Sequence, residues 1–493
     1  MNKTKTIHLL ESETTFWYNN KILHIVLLIF VSSIILFPNI NSNPIYSWDE
    51  ARHAINALEM LRSGDWITLT YNKVPDMANL KFPLGAWLIV IDYKLLGVNE
   101  FSLRLWSVLF TILTTILVYL LGSLIKNRWA GILAGLIFIS SMLVVNKHAG
   151  ITGDYDAGAS FFLTLSLLLF LLFYEKGNRR FLYLSMISIG LGVMYKSFVP
   201  GLLPLFIIFI FLLFSKDKKL LFNPKILLYC VLIIIAIISP WLIARSSVDS
   251  SFLSKLINVD YWNRLTSAVD DHGEPFWFYI TQLKDGFYPW LYFLPFGLVL
   301  LFRNYKKNRN ENDIFLIVWF FTIFLIFSIA ETKNYWYMLP AFPVMAIIIS
   351  SFLLTLLEIV SKLRFGKFLS TVLLTFIILN IALALFNVRY YLLRNVQQNR
   401  EHLSFFINQE TVKEELESLD ILIVGDNLGT QSNNFYLKRL LDDRFVFSST
   451  LYCALTDKQR MLLKAETDFV RYILEKCPER EVSKRYGGYV LIK

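Results

Sequence analysis

Apolar runs of about 20 residues recur along the first 386 positions of the chain, and nothing else restricts its fold so tightly. Runs of that length can cross a hydrocarbon core of about 30 Å. Inside such a core only helices and closed barrels satisfy their own backbone groups. Eleven runs can be delimited: 22–37, 103–125, 129–147, 157–174, 181–197, 200–214, 226–244, 288–302, 313–330, 337–359 and 368–386. Several are short, and a tilted or split helix would move the count by about two, so about 11–13 spans are expected. A soluble chain of this length would split into domains, each with a polar surface. Here 55% of residues are hydrophobic and 17% charged, against roughly a quarter charged in an average soluble protein.

The net charge of +10 lies mostly in short loops between the runs, so it orients the chain and does not point to nucleic acid as a partner. With the N-terminus inside, Lys126/Arg128, Lys176/Arg179/Arg180, Lys216/Lys218/Lys219, Arg303/Lys306/Lys307/Arg309 and Lys362/Arg364/Lys367 all face the cytoplasm. The short outer loops keep only Lys147, Lys196 and Lys333. An odd number of spans then places the C-terminus outside. The first run is followed by the polar stretch Asn39–Asn43 and not by a small-residue cleavage site, the pattern of a retained span.

The expected domains are a transmembrane part, 1–386, with long outer loops at 38–102 and 245–287, and an extracytoplasmic α/β part, 387–493. In the latter a polar helical stretch (388–419) precedes strands at 420–424, 445–448 and 489–492, with helices at 431–441 and 461–476. Gly425 and Gly429 read as turn glycines. The three cysteines lack metal-ligand spacing. Cys453 and Cys477 fall in the outer part, where a disulfide and two buried thiols are both open.

The first outer loop carries the densest chemistry. Residues 46–61 read as a short helix that Ser47 or Asp49 can cap and Gly64 can end. At 100° per residue, Ala51, Ala54, Ile55, Leu58 and Leu61 share one arc, and Asp49, Arg52, His53 and Asn56 the opposite one. Two readings stand: an interfacial helix with a solvated charged face, or one presenting an acid, a guanidinium and an imidazole to a ligand above it. Lys81 adds a cation in the same loop. Asp154 and Asp156 stand at the mouth of the fourth run, where carboxylates are costly without partners. Being two apart, they cannot both face one site on a helix. His272 and Glu274 accompany Phe276 and Trp277 in the second long loop, and Lys333 accompanies Tyr335, Trp336 and Tyr337 in the last outer turn. No HExxH, Walker, Gly-x-Ser-x-Gly or paired CxxC motif is present.

Asp49-Glu50-Ala51-Arg52, Lys81-Phe82-Pro83, Gly153-Asp154-Tyr155-Asp156, His272-Gly273-Glu274-Pro275-Phe276-Trp277 and Lys333-Asn334-Tyr335-Trp336-Tyr337-Met338-Leu339-Pro340 occur in that order. Together they resemble the GT-C membrane glycosyltransferases, specifically the bacterial branch joining protein O-mannosyltransferase-like enzymes to the lipid A aminoarabinose transferase. The likeness covers roughly residues 20–360. It implies an α-helical polytopic protein of the bacterial cytoplasmic membrane that moves a sugar from a polyprenyl-phosphate donor to a lipid, glycan or protein acceptor on the outer face. On this resemblance Asp49, Glu50 and Asp156 are catalytic candidates, while Arg52, Lys81, Asp154, His272, Lys333 and Tyr337 are donor-binding candidates. Leu80 stands where the lipid A enzymes have a glutamate, a metal ligand, so no metal is carried over, although a divalent ion remains open as a cofactor.

The chemistry suits these residues. Leaving phosphate oxygens gain negative charge that Arg52 and Lys81 can stabilise. Asp49 can take the proton of an attacking hydroxyl or, for a phosphate acceptor, orient it. Single displacement inverts the anomeric centre. The rival readings are a transporter or lipid flippase, which would favour broken, repeated helices with midplane polar groups, and a non-catalytic scaffold.

Overall fold

The computed structural model describes residues 20–493 except 42, 147, 219, 221–222, 269–271, 399–401, 426–427, 449–458, 465–469, 471–473 and 487–488. Helices dominate it. In chain order they begin with α1 (Lys21–Leu36), α2 (Asp49–Ser63), α3 (Leu84–Leu96), α4 (Glu100–Ile125), α5 (Arg128–Ile139) and α6 (Met142–Val145). Then come α7 (Asp156–Lys176), α8 (Arg179–Tyr195), α9 (Phe198–Phe214), α10 (Pro224–Val248), α11 (Phe252–Lys255), α12 (Arg264–Thr266) and α13 (Phe278–Gly286). The last are α14 (Leu294–Asn308), α15 (Glu311–Ile329), α16 (Phe342–Val360), α17 (Gly366–Gln398), α18 (Leu403–Ile407), α19 (Glu410–Glu417) and α20 (Gln431–Leu441).

The apolar runs coincide with helices of this series, with 129–147 divided at Ser140–Ser141 into α5 and α6, and 288–302 beginning in a 3-10 turn, Trp290–Phe293, ahead of α14. Among the described residues, six helices are long and apolar enough to cross a bilayer: α4, α7, α10, α15, α16 with the turn before it, and α17. Three more, α1, α5 and α9, are apolar but shorter. Val344–Ile349 of α16 are wholly buried at the centre of the bundle. Outer helices do the reverse. Leu228, Val231, Leu232 and Ile235 of α10 and Phe368, Val372, Phe376 and Leu379 of α17 are exposed. Apolar patches of that size are rare on soluble proteins and fit a lipid solvent.

The long first loop is ordered. It consists of α2, the two-residue hairpin strands β1 (Thr70–Tyr71) and β2 (Val74–Pro75), and α3. α2 ends at Gly64 in the left-handed conformation, as its sequence implies, but it starts behind Trp48 with no side-chain cap. It is not a half-solvated interfacial helix. Glu50, His53, Asn56 and Glu59 are buried along with the apolar face, because α2 lies between the bundle and the C-terminal α/β unit.

That unit holds a five-stranded sheet in the order β4-β3-β5-β7-β6. β3 (Ile421–Gly425) pairs in parallel with β4 (Phe445–Ser448) and β5 (Gln459–Lys464), and β7 (Tyr489–Ile492) runs antiparallel to both β5 and β6 (Val482–Tyr486). The helix expected over 461–476 is corrected at its start, where 461–464 belong to β5; of its other described residues, 470 and 474–476 are helical. Met461–Leu463 are buried in a central strand, a short apolar run that periodicity alone cannot assign. β6 escaped the sequence reading altogether. α17 continues without a break past 386. One hydrophobic cluster joins Ala54, Ile55 and Leu58 of α2 to Ile89 and Tyr93 of α3 and to Phe406, Phe435 and Leu437 of the C-terminal unit. Lys438 reaches Glu59 at 2.8 Å across this junction, and both are buried. Cys477 is disulfide-bonded and Cys230 is a free, buried thiol. Cys453 lies outside the described residues.

Candidate active site

The chain enters α2 through Trp48 at φ 75°, a region that residues with a Cβ seldom occupy. Such a conformation costs of order 1–3 kcal/mol and persists only where its surroundings hold it. Two elements do so here. The C-terminal unit grips the backbone before Trp48, and Glu50 ties down the helix after it. Arg104 of α4 donates from Nε to Glu50 Oε1 at 2.6 Å and from Nη2 to Oε2 at 3.1 Å. The backbone N–H groups of Gly153 and Tyr46 take the remaining acceptor positions at 2.8 and 2.7 Å. Arg104 also donates to the carbonyls of Ile40, Asn43 and Pro44. Glu50 is therefore turned inward with its acceptor capacity filled, and it positions its neighbours without reaching toward a substrate. Gly153 is required by this approach, since a Cβ there would stand 2.6 Å from Leu103 Cγ.

Its carbonyl receives the next link. His53 donates from Nδ1 to Gly153 O at 3.2 Å, which leaves Nε2 to accept from the Lys81 ammonium at 3.0 Å. The ring stacks on Tyr155 with centroids 3.9 Å apart. Burial, with the neighbouring Lys81, lowers the His53 imidazole to about 3, so it is neutral and free to hold the lysine. Lys81 is delivered from the other side by Asn56, which donates to Thr70 O at 2.6 Å and accepts from Asn79 at 2.7 Å. The Phe82 N–H binds Lys196 O at 3.3 Å. The ammonium ends 3.7 Å from Asp49 Oδ1, and Asp49 is 45% exposed. Lys81 holds the Asp49 carboxyl below the usual carboxylate range. An ionised acid and a fixed cation thus open together onto one face.

A second group faces them. Asp49, His148 and Asp154 bring one ligand atom each to within 4.8 Å of one another. His148 is stacked on Trp336 with centroids 3.6 Å apart and lies 3.4 Å from Asp154 Oδ2. Burial works against its charge, but Asp154 outweighs burial and raises the imidazole. Burial likewise opposes the Asp154 charge, yet His148 and Thr152 hold that carboxyl well below its ordinary range. Among the described residues, Asp154 Oδ1 and His148 Nδ1 are buried without a hydrogen-bond partner, His148 Nδ1 keeping its ion-pair contact with Asp154 Oδ2. Two carboxylates and an imidazole with open positions fit a divalent cation.

The predicted residues thus divide. Asp49, Lys81 and Asp154 come together. Asp156, first residue of α7, turns away from them and pairs with Lys196. Arg52 lies over the Tyr71 ring at 5.2 Å and 3.6 Å from Asp76, on the hairpin side of α2. Tyr337 accepts from Arg264 at 3.2 Å. Lys333 is buried and gives its ammonium to the carbonyls of Glu274 and Ala330, so it braces the outer turn. His272 is exposed, with its backbone carbonyl accepting from the Lys333 N–H. Sequence reasoning passed over His148, Arg104 and Lys196. Lys196 had been counted only as a loop charge, and His148 stands six residues before Asp154 in a loop with no pattern around it.

The dolichyl-phosphate-mannose-protein mannosyltransferase family matches residues 76–243. An undecaprenyl phosphate-alpha-4-amino-4-deoxy-L-arabinose arabinosyl transferase of Proteus mirabilis is 30% identical over 345 residues, 68% of this chain and 60% of that protein. An uncharacterised protein of Aquifex aeolicus is 30% identical over 334 residues, 66% of this chain and 63% of the other. The chain thus spans somewhat less than two thirds of the length of these relatives. Crystalline ArnT from Cupriavidus metallidurans bound to undecaprenyl phosphate superposes with a TM-score of 0.71 at 18% identity, covering 95% of this chain and 97% of that one. The archaeal oligosaccharyltransferase AglB from Archaeoglobus fulgidus gives 0.59 at 13% identity, covering 92% and 70%. At these identities the two superpositions establish the fold.

Proposed function

We propose that this chain, which carries a domain of the dolichyl-phosphate-mannose-protein mannosyltransferase family on a GT-C fold, is an inverting glycosyltransferase that takes a sugar from a polyprenyl-phosphate donor. The carrying observation is Lys81, fixed by neutral His53 and set 3.7 Å from the half-exposed carboxylate of Asp49. As the glycosidic bond breaks, its electron pair leaves on the phosphate oxygen, and the Lys81 ammonium stabilises that charge without having to reorganise. Asp49 accepts the proton of an attacking hydroxyl. With a phosphate acceptor no proton need move, and Asp49 orients the acceptor instead. A divalent cation held by Asp49, His148 and Asp154 would add charge neutralisation near the donor phosphate. Glu50 and Arg104 position Asp49, while Asp156 and Lys196 complete the wall beside it.

In this reading the site lies on the outer face of a bacterial cytoplasmic membrane, with the C-terminal unit outside and undecaprenyl phosphate as the carrier lipid. The charge asymmetry of the loops supports this orientation. Labelling of cysteines introduced at Asp65 and Asp442 from outside intact cells, and at Lys218 and Lys307 only after permeabilisation, tests it. An internal position 442 would reverse the assignment.

Purified protein incubated with a panel of polyprenyl-phosphate sugars and an extract of bacterial membranes as the source of acceptor should release polyprenyl phosphate from at least one of them. Asp49→Asn should lower that release by about 100-fold or more, the scale of losing a positioned base, and Lys81→Met should impair use of the donor. Translocation of intact donor across vesicles without release would favour the flippase reading.

A further inference from the structure

Resting on the transferase reading above, we infer that the C-terminal α/β unit belongs to the catalytic apparatus, with Ser432 and Tyr436 of α20 acting as positioning residues for Asp49. The two are four apart, so they share one face of α20, and between them they hold both backbone polar groups of a single residue, Ile45, of the transmembrane part. Ser432 donates from Oγ to Ile45 O at 2.6 Å. Tyr436 accepts the Ile45 N–H at 2.9 Å and passes its own hydroxyl proton toward Glu100 Oε1 at 2.7 Å. Both hydroxyls are themselves held. His402 accepts the Ser404 N–H on Nδ1 at 3.2 Å, which makes its Nε2–H the donor to Ser432 Oγ at 3.1 Å. Gln431 adds a third contact, accepting the Trp48 N–H on Oε1 at 3.4 Å.

Ile45 is four residues before Asp49, and the strained Trp48 lies between them. With Glu50 locked to Arg104 behind, α20 is the front wall that keeps Trp48 at positive φ. Released from it, Trp48 relaxes toward the allowed region, and the first turn of α2 rotates Asp49 away from Lys81. Docking of the unit does not depend on these groups. It is carried by Lys438 on Glu59, by Arg62 on Asp442 at 2.6 Å and by Asn434 on the Tyr71 hydroxyl at 3.0 Å. The clamp can therefore be removed while the unit stays seated.

The test compares wild type, Ser432→Ala/Tyr436→Phe, Ser432→Thr and Arg62→Ala in the full-length protein, by donor turnover and by hydrogen exchange of the 45–50 segment. The double variant should lose about 10- to 100-fold in kcat, the effect of misplacing a reacting group by about an ångström, with KM for the donor little changed. Its amides at 45–50 should exchange at least about ten times faster. Ser432→Thr, which keeps the hydroxyl, should stay near wild type, and Arg62→Ala should lower the melting temperature while kcat holds. Unchanged exchange in the double variant overturns the clamp, and so does a normal kcat with loosened exchange. A wild type inactive on every donor defeats the transferase reading instead, and the exchange measurement still decides whether α20 holds the segment.

Discussion

Replacing Arg104 by Met is the most severe single change the structure identifies near the site. Arg104 makes five hydrogen bonds, two to Glu50 and three to the carbonyls of Ile40, Asn43 and Pro44, with no side-chain exposure. Its loss leaves Glu50 charged, 1% exposed, and supported only by two backbone N–H groups. Breaking a buried pair from one side costs about 3–5 kcal/mol, because the surviving charge has neither water nor partner. Glu50→Gln should cost a similar amount by the same argument with the signs reversed. The double variant has no orphaned charge and retains only the unmet carbonyls, so it should lie about 2 kcal/mol above the sum of the singles. Equilibrium unfolding in mixed micelles along an SDS series measures all three.

The lock should also be visible in function. Glu50 fixes Gly153, Gly153 fixes His53, and His53 fixes Lys81, so each variant that still folds should lose donor turnover out of proportion to its folded fraction. Stabilities that add to within about 0.5 kcal/mol would mean that Arg104 and Glu50 do not act as a pair. Full turnover in folded Glu50→Gln would detach the lock from the site.

Three further outcomes are expected. The folded His53 imidazole is lowered to about 3 and that of His402 to about 4, both below the unfolded value near 6.5. Their stabilising contributions are therefore complete above pH 6.5 and are lost as pH falls, at about 1.4 kcal/mol per pH unit each. His148, whose imidazole is raised, contributes fully below 6.5 and adds no slope there. Between pH 6 and about 4.5, His53→Gln should lower the slope of stability against pH by about 1.4 kcal/mol per pH unit; an unchanged slope would mean that His53 is charged in the folded protein. For the cation site, chelator-treated protein should bind Mn²⁺ by paramagnetic resonance, and His148→Ala or Asp154→Asn should weaken binding about tenfold or more; equal binding by wild type and both variants would remove the site. At Trp48, Gly relieves the positive φ that Ala retains, so Trp48→Gly should exceed Trp48→Ala in stability by about 1 kcal/mol, and equality would mean that the turn carries no strain.

Much of the architecture was legible because it rests on local patterns. The apolar runs became helices, with 129–147 broken into α5 and α6 at Ser140–Ser141, since a long stretch with few charges carries its own instruction. α2 and its Gly64 stop followed from a 3.6 period and one turn residue. The C-terminal sheet was read less well. Within Gln459–Lys464 only Met461–Leu463 are apolar, too short a run for periodicity to tell strand from helix, and the deciding partners, Ile421–Val424 and Tyr489–Ile492, are set by the sheet. The adjacent glycines at 487 and 488, between β6 and β7, were the available hairpin signal.

The site was legible as residue types but not as roles, and the reason is geometric. Asp49 and Glu50 look like a catalytic pair because they are adjacent and alike. Successive residues of a helix point about 100° apart, so neighbours in sequence must serve different surroundings. What each one serves is decided 54 positions away at Arg104, 103 away at Gly153 and, for the turn that precedes both, 391 away at Tyr436. The same logic separates Asp154 from Asp156: α7 begins at Asp156, which leaves Asp154 in the loop that turns toward His148 while Asp156 already follows the helix toward Lys196. A short acidic motif in such a chain therefore names one residue for the chemistry and a second for the scaffold. Only the long-range partner, here a buried arginine, tells which is which.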